Sequence, residues 1–152
     1  MPLEAQVAEL FGGGHVVHLA TLRADGSPQS RPLWTIVHDG DIVFFTQASS
    51  PKAQNVARDP RVALSVTDRA NSYRSAWVRG RVVRVIEGED ALAIIDRISD
   101  AYIGTPFPMR RAPRPCHSRI AELRDQALRP LVPSPGRADG AAFVPSPPPL
   151  SL

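Results

Sequence analysis

The chain has 152 residues, of which 43% are hydrophobic and 22% charged, and a formal net charge of +3. This length suffices for one domain with a core, and the scattered positive charge does not indicate a nucleic-acid surface. No apolar run approaches the roughly 20 residues of a membrane span, and the N-terminal residues lack the basic start and apolar core of a signal peptide. The single cysteine, Cys116, excludes an intrachain disulfide and favours a reducing cytoplasm.

The first third of the chain predicts a helix followed by a hairpin. Apolar residues at helical spacing predict a helix over Leu3–Phe11, which the glycines 12–14 end. A β-branched and apolar run predicts a strand over His15–Arg23, and Asp-Gly in Ala24–Ser27 predicts a tight turn. A second strand follows over Pro28–His38, in which a proline at 32 predicts an edge or a bulge.

The middle of the chain adds further strands and two helices. Beyond an Asp39-Gly40 turn, the patterns predict strands over Ile42–Thr46, Arg61–Thr67 and Tyr73–Ile86, and helices over Pro51–Arg58 and from about Glu87 to Tyr102. Glycine at 80 predicts a bulge in the long strand. Together these elements predict a mainly β fold in which an antiparallel sheet of about five strands closes into a small barrel.

The segment from Thr46 to Asn55 combines a strand end, a polar turn and a helix start. Ser49 and Ser50 supply hydroxyls, and Lys52 places an ammonium in the first helical turn. Free backbone N–H groups, hydroxyls and a cation at a helix N-terminus suit a phosphate group. The alternative is an ordinary surface helix that a serine caps at its N-terminus.

The sequence contains no evident catalytic acid, base or nucleophile. The histidines lie apart and no cysteine or carboxylate cluster joins them, so we expect no metal site. Trp34 follows an irregular edge where it could face a planar ligand, or it could pack in the core. Arg79 is either solvated or faces a ligand groove. This combination is typical of a cofactor-dependent enzyme, and equally of a ligand-binding module.

Four groups of residues occur in order and at a spacing that resembles the pyridoxamine 5′-phosphate oxidase-like split β-barrel family, and its branch that uses the deazaflavin coenzyme F420. They are Leu19–Gln29, Pro32–Trp34, Lys52–Asn55 with Arg58–Val62, and Val78–Val82. The resemblance covers about Leu3 to Met109.

The resemblance implies a split-barrel homodimer of the FMN-binding type, with the cofactor in a groove at the interface. It places Lys52 and Asn55 on the cofactor's phosphate and tail, and Ser50 where many relatives carry an arginine. Thr46 and the run of Pro32, Leu33 and Trp34 match positions that line the ring system. The implied reaction is hydride transfer from reduced F420 to an unsaturated or conjugated small molecule, and the alternative cofactor is flavin mononucleotide (FMN).

The C-terminal part of the sequence departs from this family. We expect a barrel domain over residues 1–110 and a proline-rich, disordered tail over 111–152, with at most a weak helix at Arg119–Leu128. The final apolar strand of the relatives is not recognisable after Met109, which suggests a frame-shifted or truncated product. A further alternative is therefore a non-catalytic binding protein or an inactive remnant with an open sheet edge.

Overall fold

The computed structural model describes residues 1–108 and 115–129. The three helices of this part are α1 (Ala5–Gly12), α2 (Pro51–Arg58) and α3 (Glu89–Ile103). The strands are β1 (Val17–Leu22), β2 (Pro28–Leu33), β3 (Thr35–His38), β4 (Asp41–Gln47), β5 (Arg61–Thr67), β6 (Ser75–Glu87) and β7 (Pro115–Arg129). These bounds confirm the predicted helices at the N-terminus, after β4 and after β6.

All seven strands pair antiparallel in one sheet, in the order β2-β1-β5-β6-β7-β4-β3. The sheet curls around a core, which gives the split β-barrel that the sequence predicts. Asp39 and Gly40 both have positive φ, 51° and 80°, in the turn between β3 and β4. These values fit the tight hairpin turn that the Asp-Gly pair predicts.

One predicted strand is divided in two in the structure. The run Pro28–His38 breaks at Trp34, because β2 pairs with β1 while β3 pairs with β4 at the opposite edge of the sheet. The chain therefore crosses the open side of the barrel at Trp34. Pro32 lies on β2, an edge strand, where its missing N–H leaves no gap in the ladder.

The main core fills the concave side of the sheet. Val62, Leu64 and Val66 alternate along β5 and are all buried, as their period-2 spacing predicts. Phe11 and Leu10 of α1 close the same core from one end. A second, smaller core of Ile36, Val43 and Ile98 lies under α3, on the other side of β4.

The expectation that the closing strand is missing is wrong, and so is the predicted helix at Arg119–Leu128. β7 occupies this stretch and pairs with β4 on one side and β6 on the other, and Ile120 within it is only 1% exposed. Tertiary pairing between two unpaired strand edges overrides weak local helix preference. Residues 115–129 therefore belong to the barrel, which removes the reason for suspecting a truncated product. The rest of the tail predicted over 111–152, namely residues 111–114 and 130–152, lies outside the described residues.

Candidate functional site

The turn between β4 and α2 is built around Ser50. Its Oγ accepts a hydrogen bond from the N–H of Ala53 at 3.2 Å and lies 2.9 Å from Oγ1 of Thr46. Pro51 occupies the first helical position and carries no N–H. Ser50 therefore caps the N-terminus of α2, as the interpretation of this turn as an ordinary capped helix predicts. A phosphate at this turn would depend on side-chain charge more than on a row of backbone amides.

Asn55 anchors α2 to the β1–β2 hairpin. Its side chain is 5% exposed, and its Nδ2 donates to Oγ1 of Thr21 at 3.0 Å and to Oε1 of Gln29 at 3.2 Å. Its Oδ1 accepts from the guanidinium of Arg58 at 2.9 Å. We call these four residues the amide clasp. The clasp uses both the donor and the acceptor sides of the Asn55 amide, and it fixes α2 over the hairpin.

The clasp also defines the direction of α2 relative to β2. Arg58, one turn after Asn55, donates to the carbonyl of Leu22, and Leu22 is the strand partner of Pro28 at the start of β2. Asn55 itself contacts Gln29, one residue further along β2. Moving toward the C-terminus of α2 therefore means moving toward the start of β2, so the helix and the strand run in opposite directions.

Because α2 and β2 run in opposite directions, we expect a second cation, Arg31 of β2, on the same side of the amide clasp as Lys52. Lys52 precedes Asn55 by one helical turn, about 4.5 Å along the axis. Arg31 follows Gln29 by two residues, about 6.6 Å along β2, and period-2 alternation puts it on the same face as Gln29 and the buried Leu33. From this geometry we infer that Lys52 and Arg31 lie toward the same end of the amide clasp. Arg31 is exposed and Lys52 is half-buried.

Arg31 is a candidate that the sequence analysis missed. The signal was available, because the Asp-Gly turn sets the hairpin register and alternation then assigns Gln29, Arg31 and Leu33 to one face. What the sequence did not show is the direction of α2 across that face. On this inference, Arg31 and Lys52 bring two positive side chains toward the turn, at which the resemblance implies an arginine in the position of Ser50.

The three residues predicted to line a ring system occupy different surroundings. Pro32 is exposed on the edge strand, and Leu33 is 9% exposed in the main core. The indole of Trp34 stacks on the ring of Tyr102, with centroids 4.9 Å apart and an angle of 13° between the planes. Phe45 meets Trp34 edge-on at 6.4 Å.

A fourth ring completes this group, since Phe107 meets Phe45 edge-on at 4.9 Å. We call Trp34, Phe45, Tyr102 and Phe107 the aromatic cluster. The hydroxyl of Tyr102 donates to the carbonyl of His15 and accepts from the N–H of Thr35, and burial raises the pKa of this phenol. Because Phe45 and Thr46 are neighbours on β4, they point to opposite faces, so the aromatic cluster and the β4–α2 turn lie on different sides of that strand.

Arg79 lies apart from both groups. It projects from the convex face of β6 and forms an ion pair of 2.8 Å with Asp125 on β7. The predicted site residues thus fall into separate places. Thr46, Ser49, Ser50, Lys52 and Asn55 share the β4–α2 turn, whereas Trp34 belongs to the aromatic cluster and Arg79 to the convex face.

Other kinds of site find little support in the part of the chain that the structure describes. Residues 1–108 and 115–129 contain no group of three or more histidine, cysteine or carboxylate side chains placed to hold a metal ion. Over the same residues, no helix is both long and apolar enough to cross a bilayer.

Comparison with known proteins agrees with this fold. A family model described as pyridoxamine 5′-phosphate oxidase matches residues 3–123. The chain belongs to this family. The match runs into β7, so the strand that the sequence analysis did not recognise is part of the family pattern.

Among curated relatives, a pyridoxine/pyridoxamine 5′-phosphate oxidase from Kineococcus radiotolerans is 32% identical over 130 residues, which cover 86% of this chain and 56% of that protein. The corresponding oxidase from Chromobacterium violaceum is 34% identical over 115 residues, covering 74% of this chain and 45% of its own length. The chain therefore spans about half the length of the curated relatives that it matches.

Solved structures of shorter proteins match over more of their length. An F420 reductase superposes with a TM-score of 0.64 at 29% identity, covering 76% of this chain and 93% of the reductase. A conserved hypothetical protein from Mycobacterium tuberculosis gives a TM-score of 0.69 at 27% identity, covering 83% of each chain.

Proposed function

We propose that this member of the pyridoxamine 5′-phosphate oxidase family is an oxidoreductase that binds a phosphate-bearing flavin or deazaflavin at the β4–α2 turn. The observation that carries the proposal is the set of contacts from Asn55 and Arg58 to the β1–β2 hairpin, from which we infer that Lys52 and Arg31 lie toward one end of the amide clasp, near the β4–α2 turn. Cations and hydroxyls are the groups that proteins use to hold a phosphate, and the helix N-terminus adds a favourable dipole.

The residues of this chain have defined tasks in the proposal. Lys52 and Arg31 neutralise the phosphate, and the amide clasp holds Lys52 at a fixed height above β2. Thr46 and Ser50 already share a hydrogen bond, so little order has to be created when a ligand arrives. The bound cofactor supplies hydride-transfer chemistry, and the protein contributes orientation and charge.

Coenzyme F420 is the proposed cofactor, and an unsaturated or conjugated small molecule is the proposed hydride acceptor. Support comes from the F420 reductase, which this chain matches over nearly the whole length of that protein. FMN is the second candidate, because the curated relatives are pyridoxine/pyridoxamine 5′-phosphate oxidases and the same charged turn suits either phosphate. We also propose that the chain acts as a homodimer in the cytoplasm, with the cofactor groove at the subunit interface.

The experiment that tests the cofactor is a pair of titrations on one preparation of the full chain, with F420 in one and FMN in the other. We expect saturable binding of F420 that is at least tenfold tighter than that of FMN. Tight FMN binding, together with a yellow protein whose absorbance survives dialysis, would transfer the assignment to FMN. Binding of neither compound would reject a cofactor site at the β4–α2 turn.

A sedimentation measurement tests the dimer separately from the cofactor. We expect a particle of twice the chain mass of 16.5 kDa, with and without cofactor. A monomer that nevertheless binds F420 would retain the proposed site and refute its location at a subunit interface.

A further inference from the structure

The imidazole of His38, the last residue of β3, lies between α3 and the turn from β3 to β4. Its Nδ1 lies 2.9 Å from Nη1 of Arg97 on α3, and its Nε2 lies 3.4 Å from Oδ2 of Asp39 in the turn. Ile36 shares this face of β3 by period-2 alternation and belongs to the smaller core under α3. His38 therefore stands where the edge strand β3 meets the helix that covers it.

The two neighbours of the ring assign its tautomer. A guanidinium has N–H donors and no acceptor, so Nδ1 of His38 accepts the hydrogen bond from Arg97 through its lone pair. In a neutral imidazole the single ring proton is then on Nε2, which faces the acceptor oxygen of Asp39. Arg97 and Asp39 thus require the same tautomer, with Nε2 protonated and Nδ1 bare.

A second proton on the ring changes which neighbour it holds. That proton occupies the lone pair of Nδ1, so two donors of like charge face each other and the hydrogen bond to Arg97 is lost. The positive ring still lies beside Asp39, whose carboxylate accepts a charge-assisted hydrogen bond from Nε2. His38 therefore contacts Arg97 when neutral and Asp39 when charged.

Arg119 on β7 holds the turn in both states. Its Nη2 lies 3.2 Å from the carbonyl oxygen of His38 and 3.0 Å from Oδ2 of Asp41, and 3.7 Å from Oδ2 of Asp39. These contacts involve the His38 backbone and the two carboxylates, and none of them uses the imidazole. The loss on protonation consequently falls on the contact with α3.

Other charged groups of α3 flank Arg97 along the helix. Asp96 accepts a hydrogen bond from the N–H of Phe107 at 3.0 Å, and Asp100 is exposed one turn further on. Ile98, next to Arg97, is fully buried in the smaller core. Apolar packing of α3 therefore persists when the hydrogen bond from Arg97 is lost.

We propose that His38 is a pH-sensitive latch between β3 and α3, closed on Arg97 when the imidazole is neutral and released when it is protonated. Histidine is the side chain that ordinarily changes charge between about pH 5 and pH 8. The latch lies toward the solvent, so its release loosens α3 around Arg97 without unfolding the barrel. The proposal does not depend on which cofactor the protein binds.

Nitrogen-15 NMR of the histidine rings in the full chain tests the assignment of the tautomer. For His38 we expect a proton on Nε2 and a bare Nδ1 at about pH 8, and protons on both nitrogens at about pH 5. A proton on Nδ1 at pH 8 would overturn the proposal, because that nitrogen could not accept from Arg97.

Amide hydrogen exchange of α3 tests the latch itself, with each rate divided by the intrinsic rate of an unfolded chain at the same pH. We expect protection around Arg97 to fall about threefold from pH 8 to pH 5 in the wild type. His38→Asn keeps a neutral acceptor near the position of Nδ1 and does not titrate, so the difference should vanish. A difference as large as in the wild type would overturn the proposal and assign the pH response to another group, such as His15.

Two further variants, shown to be folded by circular dichroism, complete the test. Arg97→Ala removes the donor, so at pH 8 it should show the lower protection that the wild type has at pH 5, with no further change on acidification. His18→Asn replaces an exposed histidine on β1 and should retain the threefold difference. Wild-type protection in Arg97→Ala at pH 8, or loss of the difference in His18→Asn, would refute the role of His38.

Discussion

The two sides of β4 hold their helices in different ways. On one side, α2 buries only Asn55 and Val56, and the amide clasp ties it to the β1–β2 hairpin. On the other side, α3 buries an apolar stripe that includes Ile95 and Ile98, and the aromatic cluster covers its C-terminal end. Hydrogen bonds therefore position α2, whereas burial of apolar area and ring contacts hold α3.

The contrast between hydrogen bonds at α2 and apolar packing at α3 indicates which side of β4 is suited to a charged ligand. Hydrogen bonds are directional and fix a helix at a defined height, so a helix held in this way can carry a ligand-binding cation. The packed rings beside α3 contribute to stability by burying apolar area and by contacting one another. They leave no polar group directed at a charged ligand. The sequence suggested both sides of β4 as parts of one cofactor site, and the structure gives them separate environments. Substitutions on the α3 side should mainly lower the free energy of unfolding. Beside α2, some substitutions should lower the free energy of unfolding and others should lower the affinity for the cofactor.

The largest effect is expected on the α3 side, at Tyr102. Tyr102→Ala removes the ring that stacks on Trp34 and the hydroxyl that bonds to His15 and Thr35, and it should lower the free energy of unfolding by about 4 kcal/mol. Tyr102→Phe keeps the ring and should lose about 1–2 kcal/mol. Denaturant unfolding measures both changes. Ile103→Ala, at a position 49% exposed, is the control.

Comparing the losses in free energy of unfolding among these three variants shows which contacts hold α3. A loss in Tyr102→Ala no larger than in Ile103→Ala would mean that the aromatic cluster contributes little. A loss in Tyr102→Phe equal to that in Tyr102→Ala would assign the stabilisation to the hydroxyl and its two backbone partners instead of to ring stacking.

Asn55→Ala should have the next largest effect. The substitution removes the donor to the buried hydroxyl of Thr21 and to the side-chain oxygen of Gln29, and it removes one of the two acceptors of the Arg58 guanidinium. Removing one member of a buried polar network costs about 3 kcal/mol in total. Denaturant unfolding compares it with Gln54→Ala, an exposed neighbour on α2. Similar stability of the two variants would show that the amide clasp does not fix α2.

Much of the barrel was predictable because its signals are local. Asp-Gly turns set the hairpins, period-2 alternation in β5 gave the buried face, and Pro51 after Ser50 gave the start of α2. These features act over a few residues, so the sequence alone contains them. The amphipathic stripe of α3 was predictable for the same reason.

The remainder depends on contacts between distant parts of the chain. The sequence of β7 has no clear alternation of apolar and polar residues. It forms a strand because it pairs with β4 on one side and β6 on the other. The break at Trp34 follows from closure of the barrel, which no local pattern records. The sequence suggested Lys52 and not Arg31 as a phosphate contact, because the strand that α2 crosses is set by the Asn55–Gln29 contact between distant parts of the chain.

Lys52→Ala and Arg31→Ala should separate binding from folding. Each removes one cation of the proposed phosphate site and should weaken binding of F420, or of FMN if that is the cofactor, by about 2 kcal/mol. Neither substitution removes a member of the amide clasp, and both side chains are at least partly exposed, so the free energy of unfolding without cofactor should fall by about 1 kcal/mol or less. Fluorescence titration and denaturant unfolding on the same samples provide both values.

Arg84→Ala is the control for these two variants, because it removes an exposed arginine from a distant strand. An equal loss of cofactor affinity in Arg84→Ala would mean that net charge alone accounts for binding. Unchanged affinity in Arg31→Ala combined with a loss in Lys52→Ala would leave one cation at the site and remove Arg31 from it.

The smallest effect is expected at Asp59, where α2 gives way to β5. Its hydrogen bonds and ion pair with Arg61 lower the carboxyl pKa from 3.8 to about 2. Because the folded-state pKa is depressed, the stabilisation is fully present above the unfolded value and is lost as pH falls through the folded value. Wild-type stability should therefore decline between pH 3.8 and about 2 more steeply than that of Asp59→Asn. Urea unfolding across this window, with Asp100→Asn as an exposed control, measures the difference, and parallel curves for wild type and Asp59→Asn would contradict the assignment.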